Sequence, residues 1–264
     1  MNTSYTTLHL SKPDPHLLQV TLNRPQVMNA ISTQVGHDLL DLWTRLTVDA
    51  QDVRCVVLTG AGDRAFCAGG DLKERDGMTS MQWQQQHELF ERGFMALLEC
   101  PVPVIAAVNG VAYGGGLELA LACDFIHASR SARFALSEVR LGIMPGGAGT
   151  QTLARAVGER RAKELILRAQ PFDAGQAHQW GLVNHVSEPG QVLADALAAA
   201  GEIAANAPLS TRQAKKSIHY GLQTDLLTGY RFEIEAYNRL VGTEDRLEGV
   251  RAFNERRKPQ FKGR

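Results

Sequence analysis

The sequence predicts an α/β protein with a helical C-terminal part. Three observations carry this. Short apolar runs rich in β-branched residues alternate with segments of helical period through the first half of the chain. A strand–loop–helix unit recurs near residues 53 and 104, which points to a repeated ββα-like or βα architecture despite weak self-similarity. From about residue 145 the pattern is mostly helical. A length of 264 residues fits one large domain, or one domain with a helical appendage.

Residues 17–22 (Leu-Leu-Gln-Val-Thr-Leu) alternate in polarity and read as a strand, ended by Asn23-Arg24-Pro25. Val35, Leu39, Leu42, Trp43 and Leu46 stand at helical spacing over 32–47, with Ser32 as the N-cap. Residues 53–59 read as a buried strand followed by a glycine-rich loop, and a long helix fits 79–99. Pro101 and Pro103 introduce an apolar strand at 104–108. Asn109 to Gly116 is a glycine-rich turn into a short helix at 116–122. Strands fit 124–128, 132–136 and 182–186. Residues 190–205 are alanine-rich, and 208–255 hold several amphipathic helices with no low-complexity linker before them.

Composition narrows the function. Lys+Arg and Asp+Glu both total 28, so the net charge is zero, and the one basic run is a C-terminal cluster from Arg256 to Arg264. Nucleic-acid binding is not expected from that balance. The N-terminus lacks a basic region followed by an apolar stretch, so no signal peptide is expected. No apolar run reaches the roughly 18 residues of a membrane helix. Cys55, Cys67, Cys100 and Cys123 are scattered among apolar neighbours and read as buried thiols of a reducing, cytoplasmic compartment. No HExxH is present, and His178 and His185 are too far apart to share a helical turn, so no metal is expected.

Gly60-Ala61-Gly62-Asp63-Arg64-Ala65 matches G-x-G-x-x-A after a strand, but Gly69 and Gly70 soon follow and oppose the helix that a dinucleotide site requires. Two other glycine segments matter more. In Ala68-Gly69-Gly70-Asp71-Leu72-Lys73-Glu74, the Asp-x-x-Glu spacing predicts a helical turn beginning at Asp71 with a capping box. In Tyr113-Gly114-Gly115-Gly116-Leu117-Glu118, three glycines enter a helix, where free N–H groups can receive an anion or a polarised carbonyl. Each segment alone reads equally as a tight turn. Glu118 and Glu138 shift the balance. Adding water to an activated alkene needs one group to take a proton from water and another to deliver a proton to carbon. Close carboxylates in a partly dry pocket separate in pKa and can fill those two roles.

The ordered motifs resemble the enoyl-CoA hydratase/isomerase (crotonase) family, and are most like an enoyl-CoA hydratase. They run from Leu22-Asn23-Arg24-Pro25 and Met28-Asn29-Ala30 through Ala68-Gly69-Gly70-Asp71 and Pro103 to Gly110. They continue with Gly114 to Ala120, then Glu138, Leu141, Gly142, Ile143 and Pro145, then Gly149-Thr150-Gln151 and Glu248-Gly249 with Ala252-Phe253. The resemblance implies a spiral of ββα units over 1–200 and a C-terminal helical region over 201–264 that serves trimerisation and lids the coenzyme pocket. It implies oxyanion-hole donors at Gly70 and Gly115 and acid/base roles for Glu118 and Glu138. It implies substrate contacts at Arg24, Ala30, Ala68, Asp71, Leu72 and Lys73, with Phe253 and Arg256 reaching the coenzyme of a neighbouring subunit. Arg256 stands where a lysine is common in the family.

The implied assembly is a homotrimer or a dimer of trimers, acting on an acyl-CoA thioester without any cofactor beyond the coenzyme A of the substrate. The implied reaction is hydration of a 2-enoyl-CoA; the alternatives are isomerisation of a 3-enoyl-CoA and dehydration of a specialised thioester such as a carnitinyl-CoA. An RNA-binding member of the family is disfavoured by the neutral charge. A serine hydrolase is disfavoured by the absence of Gly-x-Ser-x-Gly and of a histidine partner for Ser137.

Overall fold

The computed structural model describes residues 4–264. The signal-peptide expectation rests in part on Met1 to Thr3, which lie outside the described residues. The chain opens with an antiparallel hairpin of β1 (Leu8–Asp14) and β2 (Leu17–Leu22), then α1 (Thr33–Val48). Ser32 caps α1, its hydroxyl accepting the Val35 N–H at 3.3 Å.

Three strand pairs follow. They are β3 (Cys55–Gly60) with β4 (Ala65–Cys67), β5 (Val104–Val108) with β6 (Val111–Tyr113), and β7 (Phe125–Ser129) with β8 (Arg133–Ala135). Between the first two pairs run α2 (Leu72–Arg75) and α3 (Ser80–Leu98), and α4 (Gly115–Leu121) separates the second from the third. The first strand of each pair joins a six-stranded sheet, ordered β1-β2-β3-β5-β7 and closed by β10 (His185–Ser187). The second joins a four-stranded sheet, ordered β4-β6-β8 and closed by β9 (Phe172–Asp173). Successive pairs run parallel in both sheets, so the chain winds as a spiral of ββα turns. This matches the predicted architecture.

The central strands are buried on both faces. Val56 and Leu58 of β3 enter the main core with Leu42, Trp43 and Phe66. Cys55 and Val57 point the other way, onto Val192, Ala196, Ala200 and Ala204 of α8 (Val192–Ala204, after α5 (Gly149–Val157), α6 (Glu159–Arg168) and α7 (Ala174–Gln179)). Alanines on that face let the helix lie close against the sheet. Helices α9 (Pro208–Gly221), α10 (Leu226–Val241) and α11 (Glu244–Asn254) complete the chain.

The strand expected at 182–186 forms at His185–Ser187 instead. The Leu182 and Val183 N–H groups donate to Ala177 O, at 2.9 and 3.3 Å, so the end of α7 takes the donors a ladder would need. Strand β1 and the three-residue strands β4, β6 and β8 are too short or too polar to show a full period, and only β8 fell within a predicted strand. No single described helix is long and apolar enough to cross a membrane.

Candidate active site

Two glycine turns from successive windings of the spiral meet at one point. The first, between β4 and α2, is clamped by Ile31, whose N–H donates to Gly69 O (2.8 Å) and whose C=O accepts from Asp71 N–H (2.9 Å). The intervening Gly70 N–H therefore faces away from Ile31. The second turn leaves β6: Gly114, at φ 52, donates to Ala135 O at 2.8 Å, and α4 then starts at Gly115. The Gly115 N–H is one of the orphan donors of a helix start.

The turns touch. A Cβ built on Gly69 would lie 3.4 Å from Gly115 N, and one built on Gly115 would lie 3.8 Å from Gly70 N. A Cβ at Gly116 would lie 2.0 Å from Cys67 O, so only glycine lets α4 press against β4. Among the described residues no protein acceptor takes the Gly70 or Gly115 N–H. Both residues line a cavity of about 560 Å³, together with Ala68, Leu72, Glu118 and Glu138.

The two glutamates differ in how they are held. Glu118, on α4, is 4% exposed. Its Oε1 accepts N–H bonds from Gly147 (2.7 Å) and Gly149 (2.8 Å). Burial pushes its pKa up to about 7; the glycine N–H groups oppose this and the charge of Glu138 adds to it. Glu138 opens a 3-10 turn, Glu138–Leu141, and its Oε1 lies 3.0 Å from where a Gly114 Cβ would stand. Its Oε2 is buried without a partner among the described residues, and burial raises its pKa. Such a pair can hold one ionised and one neutral carboxyl group at neutral pH.

Arg24 and Asp71 make an ion pair at 3.0 Å, and Arg24 also donates to Ala30 O at 2.7 Å, so these three expected contacts form a knot that fixes the first turn. Asn29 adds to it, donating to Ala61 O (3.0 Å) and Ala65 O (2.9 Å). This grips the Gly60 to Ala65 segment, which opens no helix but leads into β4. Lys73 is exposed on α2, and it does not line the cavity. Phe253, 82% exposed, stands in the last turn of α11 and Arg256 just beyond it, and neither lines the cavity of its own chain. No described residue of the C-terminal helices lines that cavity within one chain.

The capping box at Asp71 is half formed. Asp71 accepts the Glu74 N–H at 3.3 Å, but the Glu74 carboxylate turns to Thr33 N–H (2.8 Å) and Gln86 Nε2 (3.0 Å).

Several lining residues carried no separable signal. Gly147 lines the cavity and Gly149 stands behind Glu118, but both act through backbone donors, which leave no mark on side-chain pattern. Trp83 and Phe90 line the cavity although their helical spacing also suits a core. Tyr113 does not line it. Arg75 is a lining residue that the motif pattern did not single out. Its guanidinium carbon lies 4.3 Å from the Trp83 ring centroid and 5.5 Å from that of Phe90.

The four cysteines are buried free thiols, and burial pushes Cys55 and Cys67 up to about 12. No group of three or more metal-ligating side chains occurs among the described residues. No hydrogen bond joins Ser137 to a histidine among them either.

Known proteins are similar to this chain over almost its whole length. A short-chain-enoyl-CoA hydratase of Clostridium acetobutylicum is 41% identical over 246 residues, covering 93% of this chain and 94% of its own. A mitochondrial methylglutaconyl-CoA hydratase of Mus musculus is 39% identical over 259 residues, covering 97% and 82%. The crystal structure of an enoyl-CoA hydratase from Bacillus anthracis superposes with a TM-score of 0.96 at 42% identity, covering 98% of this chain and 100% of that one. The family pattern described as enoyl-CoA hydratase/isomerase matches residues 14–264. With its spiral of ββα turns and paired glycine turns, the chain belongs to the enoyl-CoA hydratase/isomerase family.

Proposed function

We propose that this enzyme hydrates a 2-enoyl-CoA reversibly to a 3-hydroxyacyl-CoA, using an oxyanion hole formed by the Gly70 and Gly115 N–H groups. One observation carries the reading: two unpaired backbone donors face the same cavity as buried Glu118 and half-buried Glu138, both of raised pKa. The thioester oxygen accepts both N–H bonds. Helix α4 has seven residues, so these local donors do more than its dipole. As water adds, negative charge gathers on that oxygen, and each aimed donor is typically worth about 10²–10³ in rate.

Glu118 is the base. Two N–H bonds at Oε1 work against the burial that raises its pKa to about 7, and they leave Oε2 to hold water. Water oxygen bonds to C3 while its proton passes to Glu118. Glu138 is the acid, because a buried oxygen without a partner favours the neutral carboxyl. Its proton goes to C2 as the enolate collapses, and the two groups then re-equilibrate their protons. Isomerisation needs only one such carboxyl group, and the retained pair supports hydration.

The coenzyme is proposed to pass Ala30, Ala68 and Leu72, with Lys73 on its phosphates and Phe253 and Arg256 supplied by a neighbouring subunit. The described residues of α10 carry an exposed apolar row, Leu227, Tyr230, Ile234, Tyr237 and Val241, at three- and four-residue spacing. That row supports assembly as a homotrimer or a dimer of trimers. No cofactor beyond the substrate's own coenzyme A is required.

The test is the loss of conjugated-thioester absorbance when the purified protein meets crotonyl-CoA in water. A decrease that yields the 3-hydroxyacyl-CoA is expected. Folded protein that leaves crotonyl-CoA unchanged but converts a 3-enoyl-CoA to a 2-enoyl-CoA would replace hydration with isomerisation.

A further inference from the structure

We infer that Arg75 reads a carboxylate on the acyl group, so that the preferred substrate is a short 2-enoyl-CoA whose acyl chain ends in a negative charge. The inference rests on the hydration site proposed above and names its substrate class.

Arg75 stands in the wall of the cavity and close to the donor turn: a Cβ built at Gly70 would lie 3.4 Å from its Nη1. Its stem is held in place. Nε donates to Gln86 Oε1 at 2.7 Å, and Gln86 is 5% exposed, anchored by Nε2 to Thr33 Oγ1 at 2.8 Å. The faces of Trp83 and Phe90 hold the guanidinium plane.

What this cation lacks is a carboxylate in direct contact; Glu74 attracts it only from beyond ion-pair distance. Among the described residues it makes no ion pair, and no acceptor takes the N–H groups of its two terminal nitrogens. The adjacent carboxylate, Glu74, is committed to Thr33 and Gln86. Gln86 offers a neutral oxygen only. Burial lowers the Arg75 pKa, yet a guanidinium stays charged in proteins.

A half-buried cation beside apolar rings is costly unless a ligand neutralises it. The surrounding cavity is otherwise apolar at Phe90, Phe94, Ile143 and Met144, apart from Ser137, His87 and the catalytic glutamates. A planar fork of free N–H groups matches a carboxylate in two parallel bonds. Its nearness to Gly70 sets the length: the carboxylate must sit only a few bonds beyond the thioester carbonyl.

The experiment compares glutaconyl-CoA, which ends in a carboxylate, with neutral 2-pentenoyl-CoA. The wild type is expected to favour glutaconyl-CoA in kcat/KM by at least about 10-fold, and Arg75→Met to lower that ratio about 10- to 100-fold. Arg75→Lys, which keeps the charge but not the fork, should fall between. Equal or better use of 2-pentenoyl-CoA by the wild type overturns the inference. So does an equal fall for both substrates in Arg75→Met, which would mark a structural role.

Should neither thioester be hydrated, titration with saturated glutaryl-CoA and pentanoyl-CoA decides the matter independently of turnover. Tighter binding of glutaryl-CoA that is lost in Arg75→Met upholds the carboxylate site while hydration falls. Equal binding of the two overturns it.

Discussion

Glu118 Oε1 accepts the Gly149 N–H at 2.8 Å, and a Cβ on Gly149 would stand 2.7 Å from that same oxygen. The contact holds the carboxylate and leaves no room for a side chain. Gly149→Ala is therefore expected to push Glu118 out of line and lower kcat about 10- to 100-fold, since small misplacements of a catalytic group cost that much. Steady-state hydration measured beside a thermal melt checks it; unchanged kcat in the folded variant would remove the Gly149 contact from the mechanism.

Glu118→Gln and Glu138→Gln should each lower kcat by about 10²- to 10⁴-fold without unfolding the protein, the scale of a lost general acid or base. Near-normal turnover in either variant excludes that residue from proton transfer.

The raised pKa of Glu118 has a signed effect on stability. An unfolded glutamate ionises near 4.5, whereas the native group does so at about 7. Between those values the native state holds a proton that the unfolded chain has lost, so stability falls as pH rises through the window. The penalty is absent below it and complete above it, roughly 3 kcal/mol at most. Melting Glu118→Gln and wild type side by side should show the variant gaining on the wild type by several degrees between pH 4.5 and 8. A gap that does not change with pH would contradict the assignment. The same titration predicts an acid limb near pH 7 in wild-type kcat/KM.

At Gly70 the donor is backbone, so Gly70→Ala should keep activity within about 10-fold. Its Cβ would meet nothing nearer than Arg75 Nη1 at 3.4 Å. Gly70→Pro removes the N–H and should cost about 10²–10³ in kcat. Circular dichroism establishes folding for both, and full activity in a folded Gly70→Pro would move the donor elsewhere.

Arg24→Ala breaks the links to Asp71 and Ala30 O and leaves the partly buried Asp71 carboxylate with the Glu74 N–H but no cation. A loss of about 1–3 kcal/mol is expected, read as a drop in denaturation midpoint. An unchanged midpoint with weaker coenzyme binding would make Arg24 a ligand contact rather than a tie.

The spiral was legible because its long strands, such as Val104–Val108, are continuous apolar runs between proline and glycine, and helices such as α1 carry their caps in sequence. The four site residues were legible as types: glycines at a helix entrance and acids beside them. What escaped detection depended on distant pairing. Strands β4 and β6 form only because a neighbouring winding of the chain supplies their partners. Glu74 left its box because Thr33, far away in sequence, offered a better donor. The ties from Gly147 and Gly149 to Glu118 are made by backbone atoms, which every residue has. Nothing in the sequence sets Arg75 apart from other helix charges; Trp83, Phe90 and Gln86 meet it only in the fold.

Strands β4 and β6 pair Ala65 with Val111 and Cys67 with Ala112, with a register irregularity between. Each strand delivers one glycine turn, so the distance between the two donors is set by how one winding of the chain seats on the next. A spiral that closed one residue out of step could still bury most of its apolar surface and look folded by far-ultraviolet circular dichroism, yet its two N–H groups would no longer converge on one oxygen. Specific activity per folded molecule is then a counter of correctly wound chains, and refolding experiments can use turnover to separate productive closure from compact mistakes.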